Sequence, residues 1–375
     1  MKIALFGGSF DPVHNEHVRY VQAAKAALGL DRVYIIPSHI APHKAFGAAA
    51  SGADRLQMCN LAFRNLPYAE VSDYELRAAG TSYSYLTCRA FAERFPNDEL
   101  YFLVGADMLE DFFTWKNPDD ILAHATLVAC GREGENPAEF REKFFRRFGK
   151  EFISICFAGD AAASHKLRVD LAFRKPTPDL DRAVRRYIDE NRLYGHPAIA
   201  PALALEKPQR REHSYRVALM AVARARSVGV AEGKALLASA LHDCAKYVPL
   251  TSPLLEDFTP PENVPPPVMH QYTGVYLARH AFGIEDEEVL DAIRYHTSGR
   301  AGMTALGKLV FLADMLESGR SFDGVERLRE IFWKDIDRCF YEALREQTEY
   351  LAASGSRVYP LTREAYEYEK ARQNR

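Results

Sequence analysis

"KIALFGGSFDPVHNEH", residues 2–17, joins an apolar run to two glycines, an Asp-Pro step and two histidines three apart. The run carries no polar alternation, which suits a strand buried on both faces, as in a parallel sheet covered by helices. A parallel strand that ends in Gly7-Gly8 and feeds a helix beginning near His14 brings bare amides to the carboxyl edge of the sheet. Doubly wound folds take their ligands at that edge. Glycine lets the backbone approach closely and the helix start adds partial positive charge, so phosphate is the expected guest. His14 and His17 share one face of the first turn and can donate hydrogen bonds to a polyphosphate.

Further runs extend this pattern: "VYIIP" (33–37), "LYFLVG" (100–105), "TLVAC" (126–130) and "FISICF" (152–157), each separated from the next by helical spacing. The first half therefore reads as an α/β doubly wound parallel-sheet domain, Rossmann-like. "GHPAIAPALALEKP" (195–208) has three prolines and no period, and reads as a linker, set at 197–207 between domains 1–196 and 208–375. Beyond it the apolar residues recur at helical spacing, as in Val217, Met220 and Ala221, so the second half is expected to be all helix. The proline cluster "TPPENVPPP" (259–267) is expected to form a surface loop.

At 375 residues two domains are the natural count, and a formal net charge of -3 argues against nucleic acid as a partner and towards small ligands. The six cysteines form no Cys-x-x-Cys pair and read as reduced thiols. With no apolar stretch near the ~20 residues that span a bilayer and no signal peptide ahead of Met1, a cytoplasmic protein without a membrane partner is expected.

In the helical half, each ionisable residue can be assigned a helix face from its apolar neighbours. His213 lines up with Val217 and Met220, His270 with Gly274 and Leu277, His296 with Ile293 and Val289, and Asp314 with Val310 and Leu306. His242 and Asp243 end the stripe of Leu237, Ala240 and Leu241. Unpaired carboxylates are strongly disfavoured inside a protein, so six such residues converging inward point to metal coordination, by iron, manganese or cobalt. His280 falls off that face and reads as a surface residue.

"GGSFDPVHNEH" (7–17) resembles the GGTFDPxHxGH signature of nicotinate-mononucleotide adenylyltransferases, within the HxGH nucleotidyltransferase superfamily. Further stretches follow in that family's order: "IPSHIAPHK" with Lys44, "TSYSYLT" with Ser82, Tyr83 and Ser84, "FLVGADMLEDFFTWKNPDDIL" with Gly105, Asp107 and Trp115, "VACGREG" with Arg132, and "AVRRYIDENRLYG". The resemblance implies attack of the mononucleotide phosphate on the α-phosphorus of ATP, with pyrophosphate leaving. It gives His14, His17, Lys44 and Arg168 catalytic contacts with the phosphates, with a magnesium ion carried by ATP. It assigns nucleotide binding to Gly7, Gly8, Ser9, Phe10, Ser82, Tyr83, Ser84, Gly105, Asp107, Trp115, Arg132 and Ser164. Glu16 stands where the motif has glycine, and "AASHKLR" keeps Ser164 and Arg168 of the family's ISSTxxR but puts His165 in place of threonine.

Residues 208–375 resemble the YqeK-type HD-domain phosphohydrolases, which split diadenosine tetraphosphate symmetrically, through "REHSYRVALMA", "LLASALHDCAKY" and "YHTSGRAGMTALGKLVFLADMLESGR". That resemblance implies one metal on His213, His242, Asp243 and Asp314, and a second on His270, His296 and a bridging Asp243. Lys246 and Arg320 would hold the remaining phosphates. The expected partners are thus ATP, nicotinate mononucleotide and diadenosine tetraphosphate. Two alternatives are a first domain that senses nucleotide without turnover, and a hydrolase acting on a nucleoside triphosphate or a guanosine alarmone.

Overall fold

The structure, a computed structural model, describes residues 1–39, 49–78, 80–105, 108–131, 138–156 and 163–373. The chain divides into two compact units, one formed by Met1–Leu167 and Pro176–Tyr194 and the other by Arg168–Lys175 and Gly195–Arg375. The second unit thus includes residues 168–175, from within the stretch 1–196.

Among the described residues the first unit holds six strands, β1 (Lys2–Gly8), β2 (Arg32–Pro37), β3 (Ala69–Val71), β4 (Glu99–Gly105), β5 (Thr126–Gly131) and β6 (Ile153–Cys156), in the order β3-β2-β1-β4-β5-β6. All pairings are parallel. The five apolar runs are five of these strands; β3 has only three residues, none of them buried, too short to show a pattern. Helices α1 (Asn15–Leu28), α2 (Gly52–Phe63), α3 (Tyr74–Arg77), α4 (Ser84–Arg94), α5 (Met108–Phe112), α6 (Pro118–His124) and α7 (Ala138–Phe148) connect and flank the strands, α8 (Ser164–Ala172) runs on into the second unit from Arg168, and α9 (Arg182–Glu190) closes the first.

Chain order reverses between β1 and β4, and this switch point opens a crevice at the carboxyl ends of both strands. Gly7 and Gly8 lie at the end of β1 and Gly105 at the end of β4. Tyr20 anchors α1 against the sheet by donating to the Val104 carbonyl at 2.7 Å, which fixes the start of α1 over the crevice.

The second unit is helical: α10 (Ile199–Ala204), α11 (Pro208–Ala225), α12 (Glu232–Leu241), α13 (Pro266–His280), α14 (Glu287–Tyr295), α15 (Ala305–Leu316), α16 (Val325–Lys334), α17 (Ile336–Ala353) and α18 (Pro360–Gln373). Helix α15 is apolar around most of its surface, with Leu306, Leu309, Val310, Leu312, Ala313 and Leu316 buried, so it occupies the centre. Thr304 caps it by accepting from the Gly307 amide at 3.1 Å.

The expected linker needs correction. Residues 199–204 form α10, whose Ile199 and Ala202 are buried in the helical core. Pro201 is tolerated because it sits in the first turn, where its missing N–H has no partner to lose. Glu206 is buried as well, and its carboxylate accepts from the Ser214 hydroxyl at 3.0 Å. Burial pushes that carboxyl up to about 8. The proline cluster is an exposed loop as expected, except that Pro266 and Pro267 open α13.

Candidate active sites

In the first unit the glycine turn is held from behind. Arg55 is buried and donates to the carbonyls of Ser9 at 2.8 Å and Ala50 at 3.3 Å. Asp11, fully buried, accepts from the amides of Ala49 and Ala50 at 2.7 and 3.1 Å and from the Tyr194 hydroxyl at 2.9 Å. Phe10 has a positive φ of 47° and turns its ring back over Gly8. A Cβ on Gly8 would lie 3.0 Å from that ring, so a side chain here would require the ring to give way by a few tenths of an ångström.

His14 caps α1 and its ring lies 3.8 Å, centroid to centroid, from that of His17. The His14 amide donates to His17 Nδ1 at 3.1 Å, so a neutral His17 carries its hydrogen on Nε2 and can offer it to an anion. His14 Nδ1 is buried with no hydrogen-bond partner, and burial pushes the imidazole down to about 4. Ser164 opens α8 and donates to the Pro12 carbonyl at 3.4 Å, which brings it to the same turn. Glu16 lies in the first turn of α1, where a carboxylate interacts favourably with the helix start.

At the far lip, Ser82 accepts from the His39 amide at 2.9 Å, tying the end of β2 to the segment before α4. Tyr83 lies under the Lys116 ammonium, 4.2 Å from the ring centroid, and Ser84 begins α4. Trp115 is half-buried, tilted against Phe112 and edge-on to Phe102, so packing accounts for much of its ring. Lys44, Asp107 and Arg132 lie outside the described residues. Arg168 departs from its expected role as a phosphate clamp: it is buried and paired with Glu232, which also accepts from Arg226. A buried guanidinium requires a counter-charge, and here Glu232 supplies it.

In the second unit the structure brings all six expected ligands together. His213 Nε2 lies 2.9 Å from Asp314 Oδ1, and His242 Nε2 lies 4.0 Å from the same oxygen. The two oxygens of Asp243 face different partners, Oδ2 towards His242 Nε2 at 3.6 Å and Oδ1 towards His270 Nε2 at 3.1 Å and His296 Nε2 at 3.5 Å. The His270 and His296 Nε2 atoms are 3.0 Å apart.

Backbone carbonyls set two of the rings. His242 Nδ1 meets the Ser239 carbonyl and His296 Nδ1 the Ile293 carbonyl, each at 2.7 Å, so the hydrogens lie on Nδ1 and the Nε2 lone pairs face inward. Glu317 plays the same part for His213, accepting from Nδ1 at 3.0 Å. Burial works against the Glu317 carboxylate, but Arg216 and His213 hold it down to about 2. Such outer partners orient imidazole ligands on metals. His242 Nε2 is buried with no hydrogen-bond partner, and burial pushes this ring down to about 3, leaving it neutral. Imidazole nitrogens and carboxylate oxygens gathered in a buried cluster form a donor set that fits divalent metal ions.

Cations compensate the carboxylates. Arg210 Nη1 lies 2.8 Å from Asp243 Oδ2, Arg320 Nη2 lies 2.6 Å from Asp314 Oδ1, and Lys246 Nζ lies 3.8 Å from Asp243 Oδ1 and 3.0 Å from His270 Nε2. Sequence reasoning missed Arg210, Glu317 and Thr297, whose hydroxyl lies 3.1 Å from His270 Nε2 and 3.0 Å from His296 Nε2. Their positions carried a signal: Arg210 precedes His213 by three, Glu317 follows Asp314 by three, and Thr297 adjoins His296.

Fold and sites together define a nucleotidyltransferase-type α/β unit joined to a helical unit with a buried His/Asp centre. Residues 5–177 match the Cytidylyltransferase-like family and residues 210–319 the HD domain. The chain belongs to the family of two-domain proteins that includes the "Probable nicotinate-nucleotide adenylyltransferase/Ap4A hydrolase" of Mycoplasma genitalium, with which it is 30% identical over 324 residues, 85% of this chain and 88% of that protein. The first half alone is 34% identical over 197 residues to a "Probable nicotinate-nucleotide adenylyltransferase" of Bacillus pumilus, 52% of this chain and 98% of that protein. A crystal structure of an HD superfamily hydrolase from Clostridium acetobutylicum superposes with a TM-score of 0.44 at 29% identity, covering 47% of this chain and 96% of that one. No helix among the described residues is long and apolar enough to cross a membrane.

Proposed function

We propose that the chain carries two activities: adenylyl transfer from ATP to nicotinate mononucleotide, giving deamido-NAD and pyrophosphate, and hydrolysis of diadenosine tetraphosphate to two molecules of ADP. The observation that carries the proposal is the inward convergence of His213, His242, Asp243, His270, His296 and Asp314 in a chain whose other half holds an amide-lined turn at a sheet switch point. The 30% identity to a relative named for both activities supports it.

In the first site the amides of residues 7–10 and the His17 Nε2 hydrogen bind phosphate, with Lys44, Asp107 and Arg132 assigned by family resemblance alone. Buried His14 contributes as a neutral hydrogen-bonding ring, and magnesium enters with ATP. Catalysis of this displacement needs alignment and charge stabilisation and no covalent intermediate.

In the second site His213, His242, Asp243 and Asp314 would hold one metal and His270, His296 and the other oxygen of Asp243 a second, of iron, manganese or cobalt type. When bound, such a pair supplies Lewis-acid stabilisation of phosphoryl oxygens and activation of a water nucleophile. Arg210, Lys246 and Arg320, released from the carboxylates they now neutralise, would hold the phosphates beside the one attacked.

Incubating the purified chain with ATP and nicotinate mononucleotide, and separately with diadenosine tetraphosphate and each metal, tests both halves by chromatography. Deamido-NAD with pyrophosphate, and ADP as the one product of the tetraphosphate, are expected. ATP plus AMP would show asymmetric cleavage, and no turnover in either assay would reject the corresponding half.

A further inference from the structure

A cavity of about 520 Å³ lies in the second unit, lined by Arg224, Lys308, Lys334, Asp335, Asp337 and Arg372 among others. Its volume falls in the range of small-ligand sites, roughly 300–1,000 Å³. It stands apart from the His/Asp centre. Arg224 follows His213 by eleven residues on α11, about 16 Å along the axis.

The cavity's charges separate into satisfied and unsatisfied groups. Lys308 is buried and held by Asp337 at 2.6 Å and Glu369 at 3.0 Å, and Arg372 lies 3.7 Å from Asp337 and 3.1 Å from Glu369. Asp335 caps α17, accepting from the Arg338 amide at 3.0 Å. Among the described residues, Arg224 and Lys334 meet no carboxylate, and Arg224 Nε is buried without a hydrogen-bond partner. Two helices also begin on this wall, α15 at Ala305 and α17 at Ile336, and helix starts carry partial positive charge.

We propose that this cavity is a third anion site, which takes a compact phosphate-bearing anion between Arg224 and Lys334. Arg224 and Lys334 outweigh Asp335, a lining carboxylate that accepts from a backbone amide only, so the guest is an anion met by a guanidinium and an ammonium group.

The test uses crystals of the full chain soaked in tungstate, a tetrahedral dianion located by its anomalous signal, together with calorimetric titration of inorganic pyrophosphate. We expect a tungstate peak between Arg224 and Lys334 in the wild-type protein, lost in R224A/K334A with the surrounding helices unmoved. We also expect one pyrophosphate-binding event to weaken at least tenfold in R224A/K334A and to be retained in R224K/K334R. H14N and H242Q, which alter the other two sites, leave that event in place. A cavity without a peak, a peak that survives R224A/K334A, or pyrophosphate binding unchanged by that variant overturns the proposal, the last marking tungstate as an adventitious ion only.

Discussion

At the scale of single residues, burial keeps His14 and His242 neutral. His14 is pushed down to about 4 by burial alone, below the ordinary imidazole value of 6.5. In the unfolded chain the ring protonates near 6.5, whereas in the folded chain it stays neutral until pH nears 4. Between these values the unfolded state binds the extra proton, so the stability that His14 confers is complete above about 6.5 and falls as pH drops towards 4. The expected signature is a His14 ring resonance that titrates near pH 4 in nuclear magnetic resonance, while an exposed histidine titrates near 6.5. A midpoint above 6 would contradict a buried neutral ring.

Gly8 belongs to this scale too. Its missing side chain leaves space for Phe10, and G8A would set a Cβ 3.0 Å from that ring, displacing the amides meant for phosphate. We expect G8A to fold with little loss of stability and to raise the KM for ATP by tenfold or more, read from initial rates. An unchanged KM would detach the turn from nucleotide binding.

At the scale of elements, helix ends do the positioning. Asp181 caps α9 by accepting from the amides of Ala183 at 2.7 Å and Val184 at 3.4 Å, and it pairs with Arg64 at 2.9 Å, just past α2. Tyr194, four residues beyond α9, reaches back to Asp11 in the glycine turn. D181A should therefore lower stability by about 1–2 kcal/mol in urea unfolding followed in the first unit, the usual cost of a lost cap. It should also weaken ATP binding severalfold, because the strap from α9 to Asp11 loosens. A stable D181A protein with unaltered ATP binding would show that the cap has no bearing on the turn.

At the scale of the whole molecule, the two candidate centres are built from separate stretches of chain. The first draws on residues 1–167 and 176–194 and the second on residues after 205. H242Q is expected to lose bound metal, measured by mass spectrometry of the protein's metal content, and to lower diadenosine tetraphosphate hydrolysis at least a hundredfold with adenylyl transfer unchanged. H14N is expected to do the reverse. Loss of both activities in either variant would mean that the units do not work independently.

Much of this was legible along the chain because the signals are local. A run of four or five apolar residues marks a buried strand whatever surrounds it, and inward spacing on each helix picked out six side chains that the fold brings together. The glycine turn was legible for the same reason, since close backbone approach and a helix start are properties of adjacent residues. Packing between distant segments decided the rest. It made a helix of the proline-bearing stretch at 199–204, by burying Ile199 and Ala202, and it turned Arg168 to Glu232, sixty-four positions away. It also set Arg55 and Asp11 behind the turn and brought the ring nitrogens of His270 and His296 to 3.0 Å. Which partner a buried charge finds depends on what the folded chain places beside it, and no spacing rule along the sequence carries that information.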